Sequence, residues 1–256
     1  MSKSEPQRVF ITGAASGMGL ALARHYLAQG AAVGTCSLEP LDAVAAQLPE
    51  GLDYSQADVT DAAATQAAVT AFAERVGGLD LMIANAGISM PKAALPDFAR
   101  GRAVFNVNVM GTINAFEPAI EIMHKQGSGQ LVALGSISGI TGMPGMAFYG
   151  SSKAAVMQFC ETLAIDLNTY GIDVTVVAPG FVATPLTEAN PHKMPFLMST
   201  DAAVKKIIRT IERRHLRSVF PLPMAMLATL LYYMPRWLYV RFMRLDLLGL
   251  RKDGSH

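Results

Sequence analysis

The chain is 256 residues long, 51% hydrophobic and nearly balanced in charge, with 21 basic against 20 acidic side chains. That length fits one large α/β domain or two small ones, and the charge balance excludes the basic surface of a nucleic-acid binder. Two cysteines, Cys36 and Cys160, without paired spacing exclude a disulfide framework and suit a reducing compartment.

The opening stretch to Arg8 has no apolar core of a signal peptide, and no uncharged apolar run reaches the roughly 18 residues of a spanning helix. A cytoplasmic location is expected. Val9-Phe-Ile-Thr12 reads as a buried strand, followed by the turn Thr12-Gly13-Ala-Ala-Ser-Gly17-Met-Gly19 and a helix from Leu20 to Gln29. Three glycines between a strand and a helix let backbone approach a pyrophosphate, which the helix N-terminus then favours electrostatically. The spacing is Gly-x-x-x-Gly-x-Gly rather than the commoner Gly-x-Gly-x-x-Gly. Gly30 to Cys36 reads as the second strand. At its end an acid would favour NAD and an arginine NADP. Ser37-Leu38-Glu39 supplies neither at the strand end.

A short helix over Leu41 to Leu48, a strand over Leu52 to Gln56 and an alanine-rich helix from Asp58 to Arg75 follow, with Thr60 or Asp61 as N-cap. Leu79 to Ala84 is a fourth strand ending in the small-residue turn Asn85-Ala86-Gly87. Gly101 to Lys125 is a long helical stretch in which Asn108 either caps a local bend or faces a site. Leu131 to Leu134 and Asp173 to Ala178 are further buried strands, the latter ending at Pro179-Gly180. Thr187 to Thr200 reads as a mobile substrate loop, and Thr200 to His215 as a helix with a solvated basic face. Alternation at this spacing predicts an α/β fold, a Rossmann-type doubly wound parallel sheet flanked by helices.

The densest chemistry lies between Ser136 and Lys153. Tyr149 and Lys153, four apart at the start of a helix, share one face, and Ser136 leaves the preceding strand beside them. A cation held near a phenol lowers its pKa from about 10 and makes it a usable general acid or base. Taken together, the Thr12-to-Gly19 loop, Asp58, Asn85-Ala86-Gly87, Asn108, Ser136, Tyr149, Lys153 and Pro179-Gly180 make the chain resemble the short-chain dehydrogenase/reductase family from residue 8 to about 220.

The resemblance implies an NAD(P)-dependent oxidoreductase interconverting a ketone or aldehyde and an alcohol by hydride transfer. It implies Tyr149 as the proton donor, Lys153 tuning it and holding the nicotinamide ribose, and Ser136 orienting the carbonyl. Asn108 would hold a water linking Lys153 to solvent. It implies a cofactor site in which Gly13, Ser16, Gly17, Met18 and Gly19 wrap the pyrophosphate and Ser37 meets the adenosine ribose. Asp58, with Val59 beside it, meets the adenine, and Asn85, Ala86 and Gly87 build the central wall. Val182 and Thr184 hold the carboxamide, with Pro179 and Gly180 completing the set. No metal is implied, and no histidine has a ligand partner at useful spacing.

Three departures from the family stand out: Ala84 where many members have Asn, the uncharged Ser37-Leu38, and the C-terminus. The missing acid at Ser37 favours NADP over NAD, because nothing there repels a 2′-phosphate. Residues 1–220 are expected to form the catalytic domain and 221–256 a hydrophobic helical appendage. In the appendage two short apolar helices break at Pro235, and the second mixes Trp237, Phe242 and Leu247 with Arg236, Arg241 and Arg244. That pattern suits a lid, an interface in a homo-oligomer (dimer or tetramer), or contact of 221–250 with an anionic membrane surface at its inner face. Met143, Met146, Phe148, Met194 and Phe196 would offer apolar walls to a small apolar or lipid-like substrate. The alternative on the same fold is a catalytically silent nucleotide-binding sensor or membrane-surface scaffold, for which the proton-relay residues would have no use.

Overall fold

The computed structural model describes residues 7–89, 96–188 and 194–245. Seven strands, β1 (Arg8–Thr12), β2 (Ala32–Ser37), β3 (Leu52–Gln56), β4 (Leu81–Ala84), β5 (Gly129–Leu134), β6 (Ile172–Pro179) and β7 (Arg217–Phe220), form one sheet in the order 3-2-1-4-5-6-7. Every neighbouring pair is parallel. A parallel sheet covered on both faces needs strands that are apolar throughout, and Val9, Phe10 and Ile11 are each no more than 1% exposed. The chain order reverses between β1 and β4, and that reversal opens the crevice where ligands bind in such sheets.

The helices α1 (Gly17–Ala28), α2 (Leu41–Val44), α3 (Ala62–Val76), α4 (Phe98–Phe105), α5 (Gly111–Gln126), α6 (Ala147–Leu167), α7 (Pro185–Glu188) and α8 (Thr200–Glu212) carry the crossovers. Two cores result, one on each face. Phe10, Phe72, Phe116, Met123 and Cys160 fill the side of α3, α5 and α6, whereas Ile11, Leu22, Val204 and Ile207 fill the side of α1 and α8. Cys36 and Cys160 are free and fully buried on the first side, and burial pushes both thiols up to about 12. Caps follow the sequence chemistry: Asp61, not Thr60, accepts from the Ala64 amide to start α3, and Gly77 ends it in the left-handed region.

Several boundaries differ from the sequence reading. The first helix opens at Gly17, inside the glycine turn, rather than at Leu20. The second is shorter than 41–48, because its end tightens into a 3₁₀ turn at Ala45–Gln47. The long helix expected from Gly101 begins at Phe98, where Asp97 caps it, and is interrupted by a π-helical turn over Asn106–Met110. Such bulges occur mostly at functional sites. The basic helix starting at Thr200 is anchored by Ala203, Val204, Ile207, Ile208 and Ile211 on its other face. In the stretch read as a loop from Thr187 to Thr200, Thr187 belongs to α7. Met198 bridges Val182, so the chain is pinned at both ends there. Residues 189–193 of that stretch lie outside the described residues. Strand β7 has no counterpart in the sequence reading.

Beyond β7, α9 (Leu222–Tyr233) and α10 (Arg236–Arg244) meet at Pro235. Ala228 and Leu231 seat α9, and Met243 seats α10, while Leu222, Tyr233 and Trp237 are 70–78% exposed. Among the described residues no helix is long and apolar enough to cross a membrane.

Candidate active site

The C-terminal ends of β1 and β4 bring the glycine turn against the Asn85-Ala86-Gly87 turn. Thr12 Oγ1 accepts from the amides of Asn85 and Ala86, each at 3.1 Å, and Asn85 Nδ2 donates to the carbonyls of Thr12 (3.0 Å) and Gly13 (3.1 Å). The Gly13 amide donates to Cys36 O at 2.8 Å, and the Ala14 amide to Thr35 Oγ1 at 3.2 Å. The turn is thereby bonded to both neighbouring strands. Glycine is required by contact: a Cβ on Gly19 would lie 2.5 Å from Asn85 Nδ2 and from Gly13 O. Gly13, at φ +69°, would bring a Cβ within 3.0 Å of Ala86 Cα.

The remaining cofactor candidates stand at the start of α1 and beyond the ends of β2, β3 and β6. Ser16 is the N-cap of α1 yet caps nothing with its side chain, and it is exposed beside half-buried Met18. Ser37, 4% exposed, ends β2, and its Oγ has no hydrogen-bond partner among the described residues. Asp58 Oδ1 accepts from the Thr60 amide, and Val59 is buried under Gly111 with its carbonyl taken by Asn114 Nδ2 at 2.8 Å. On the β6 side, the Gly180 amide donates to Phe220 O at 2.7 Å, following Pro179 at the strand end. Buried Val182 and Thr184 follow, and Thr184 lies against Gly17 of the turn. The set fits a dinucleotide: a cradle that a Cβ would fill, uncapped helix-start amides and a buried hydroxyl without a partner at the ribose end.

The second cluster sits at the end of β5. Lys153 Nζ donates to Leu134 O at 2.7 Å and lies 5.9 Å from the Tyr149 ring centroid. Gly87 covers it, since a Cβ there would come within 3.4 Å of Nζ and 3.1 Å of Asn108 Oδ1. Asn108, 1% exposed, accepts from the Ile88 amide at 2.8 Å and donates to Ile88 O at 3.1 Å and to Ser152 Oγ at 3.0 Å. Ser152 in turn donates to Tyr149 O at 2.8 Å, so the π-turn is tied to the helix that carries the phenol. Asn108 thus both faces the site and holds a bend.

The electrostatics differ in sign from the sequence expectation. Burial pushes the Tyr149 phenol above 10, opposed by hydrogen bonding from Ser136. Lys153 Nζ is engaged with the Leu134 carbonyl, and burial depresses its own pKa from 10.5 to about 8.

Sequence reasoning missed four positioning residues. Ser138 donates to Ser136 Oγ through both its hydroxyl (2.9 Å) and its amide (3.2 Å), and only its distance of two from Ser136 hints at this. Thr12, Asn114 and Ser152 act across sequence separations of 73, 55 and 44 residues, invisible without the fold. Of the proposed apolar walls, Phe148 is turned elsewhere: its ring packs edge-on against Phe98 at 5.5 Å and fills the space above Gly101.

The profile of the short chain dehydrogenase family matches residues 7–195. An uncharacterised oxidoreductase of Myxococcus xanthus is 33% identical over 246 residues, spanning 93% of this chain and 97% of its own. The 3-oxoacyl-[acyl-carrier-protein] reductase FabG of Thermotoga maritima is 36% identical, over 72% of this chain and 77% of its own. The solved structure of ElxO with NADP bound superimposes with a TM-score of 0.71 at 26% identity, covering 80% of this chain and 91% of that one.

Proposed function

Because the chain belongs to the short-chain dehydrogenase family, it is an NAD(P)-dependent oxidoreductase, and we propose that it interconverts a ketone or aldehyde with an alcohol on an apolar, lipid-like substrate. The observation that carries this reading is the convergence of Ser136, Tyr149 and Lys153 at the end of β5, beside the clamp at β1 and β4.

When bound, the reduced nicotinamide supplies the hydride to the carbonyl carbon. Tyr149 gives its phenolic proton to the carbonyl oxygen as charge builds there. Ser136 Oγ accepts from Ser138 twice, which holds it beside the Tyr149 phenol, and its own proton turns from the phenol to the carbonyl oxygen when substrate binds. The Lys153 ammonium stabilises the phenolate left behind. In the oxidative direction the phenolate takes the hydroxyl proton. Asn108 fixes Ser152 and through it the backbone of Tyr149, so it sets the angle at which the phenol meets substrate.

NADP is the cofactor this reading selects. No carboxylate stands at the end of β2, and the partnerless Ser37 Oγ is available to the ribose. Met143 and Met146 give the substrate side its apolar character. The helices of the tail, free of acids from 221 to 245, expose Leu222, Met226 and Trp237 and carry Arg241 and Arg244 in the last turn of α10, a combination that supports docking on an anionic membrane surface. Self-association into a dimer or tetramer belongs to the same reading. Exposed Ile165 on α6 offers an apolar contact, and light scattering measures the outcome.

The experiment is NADPH against NADH binding by fluorescence, followed by oxidation in the presence of long-chain and polycyclic ketones. Tight NADPH binding with turnover upholds the reading. Higher kcat/KM with NADH removes the cofactor choice, and binding without turnover across the panel moves the protein to the sensor reading.

A further inference from the structure

A cavity of about 290 Å³ lies between the stretch after Ser136, the start of α6 and the first residue of α10. Ser138 forms one wall, and its hydroxyl donates to Ser136 Oγ at 2.9 Å, so the cavity adjoins the reacting end of the site. Met143 and Met146 make an apolar side. The polar groups at the cavity include several donors. Helix α6 begins at the cavity with no side-chain cap at Met146, and its first internal bond is from the Gly150 amide to Met146 O. The amides before Gly150 are therefore left without intrahelical acceptors, at the positive end of a 21-residue helix. Thr141, 7% exposed, lines the cavity, and its Oγ1 has no hydrogen-bond partner among the described residues.

Arg236 closes the other side. Its guanidinium is held over the rings of Tyr232 at 5.5 Å and Tyr239 at 5.7 Å, and it has no ion pair among the described residues. Among the described residues no aspartate or glutamate lines the cavity. A fixed cation, uncapped helix amides and a buried hydroxyl without a partner, facing two methionines, make an anion site with an apolar flank.

We infer that this cavity takes the anionic head of an amphipathic substrate, a carboxylate or phosphate carried on an apolar chain, with Arg236 as the specificity-determining residue. The inference rests on the reductase reading for its substrate, but its test needs no turnover. Decanoate, decyl phosphate and decanol, each below its micelle concentration, are titrated by calorimetry into the full chain without cofactor. A charge-assisted contact predicts that both anions bind about tenfold or more tighter than decanol. In Arg236→Met the anion-to-decanol ratio falls toward one, and in Thr141→Val it falls in the same direction by less. Arg236 is exposed, so its replacement leaves the fold intact.

Decanoate favoured over decyl phosphate assigns a free acid, and the reverse order a phosphorylated carrier. Equal binding of decanol and the anions, or an unchanged ratio in Arg236→Met, overturns the inference. Neither result touches the reductase reading, whose own failure would appear as absent ketone turnover with the anion preference intact.

Discussion

The two sides of the crevice are built by opposite means. On the nucleotide side, backbone and side chain are bonded before any ligand arrives: Thr12, Gly13, Asn85 and Ala86 share four hydrogen bonds between two turns, and glycines sit where a Cβ would collide. On the substrate side, the walls are methionines, a partnerless threonine and helices whose largest side chains face solvent. A ligand shared by a whole family can be met by a fixed cradle. One that varies is met by side chains on segments with few bonds to the sheet, where substitution costs the fold little.

That contrast can be broken at its junction first. Tyr149→Phe is expected to lower turnover by on the order of 10²–10⁴-fold while NADPH affinity, measured by fluorescence, stays within about twofold. Loss of cofactor binding in parallel would place the phenol in the cradle instead of between the two sides.

The next effect concerns the cost of burying Lys153. Its folded pKa lies near 8, below the 10.5 of an exposed lysine, so the penalty is complete below pH 8 and is relieved as pH rises toward 10.5. A depression of that size corresponds to roughly 3 kcal/mol. Urea denaturation of the cofactor-free protein should therefore show wild type gaining on Lys153→Met by about that amount between pH 8 and 10.5. The comparison with the variant cancels the opposing contribution of the buried thiols, which stay protonated when folded. A pH-independent difference would mean that the ammonium is not desolvated.

Gly19→Ala tests the rigidity of the cradle. With its Cβ 2.5 Å from two polar atoms, overpacking should cost about 1–3 kcal/mol and weaken NADPH binding together with stability. Unchanged affinity would show that the clamp yields. The smallest effect should come from the tail: Trp237→Ala, at a residue 72% exposed, should shift stability by no more than about 0.5 kcal/mol. A larger loss would reveal that α10 is held by a surface the isolated chain does not display.

The nucleotide clamp and the tyrosine–lysine pair were legible in the sequence because their signals are local: glycines at a strand-helix junction, a small-residue turn after a strand, Tyr and Lys one helical turn apart. What escaped is non-local or depends on register. Asn114 meets Val59 only because α5 crosses the loop after β3. The π-turn that aims Asn108 leaves no trace in a 3.6-residue periodicity. Strand β7 is four residues long, at the sheet edge and half exposed, too short to show a pattern. Phe148 looked like a pocket wall by position, yet α6 turns it toward α4. Arg236 lines the cavity from the start of α10, far along the chain from Ser138 and Met146, a placement that composition does not encode.

The two cysteines give this architecture a built-in stopwatch. Each thiol is sealed from solvent and held protonated far above neutral pH, so an alkylating reagent reacts only when the surrounding structure opens. Cys36 lies on β2 directly against the Gly13 amide, and Cys160 lies on α6 away from the nucleotide turn. Their separate labelling rates would time the fraying of the cradle against the release of the catalytic helix, within one unmodified chain and without any introduced probe.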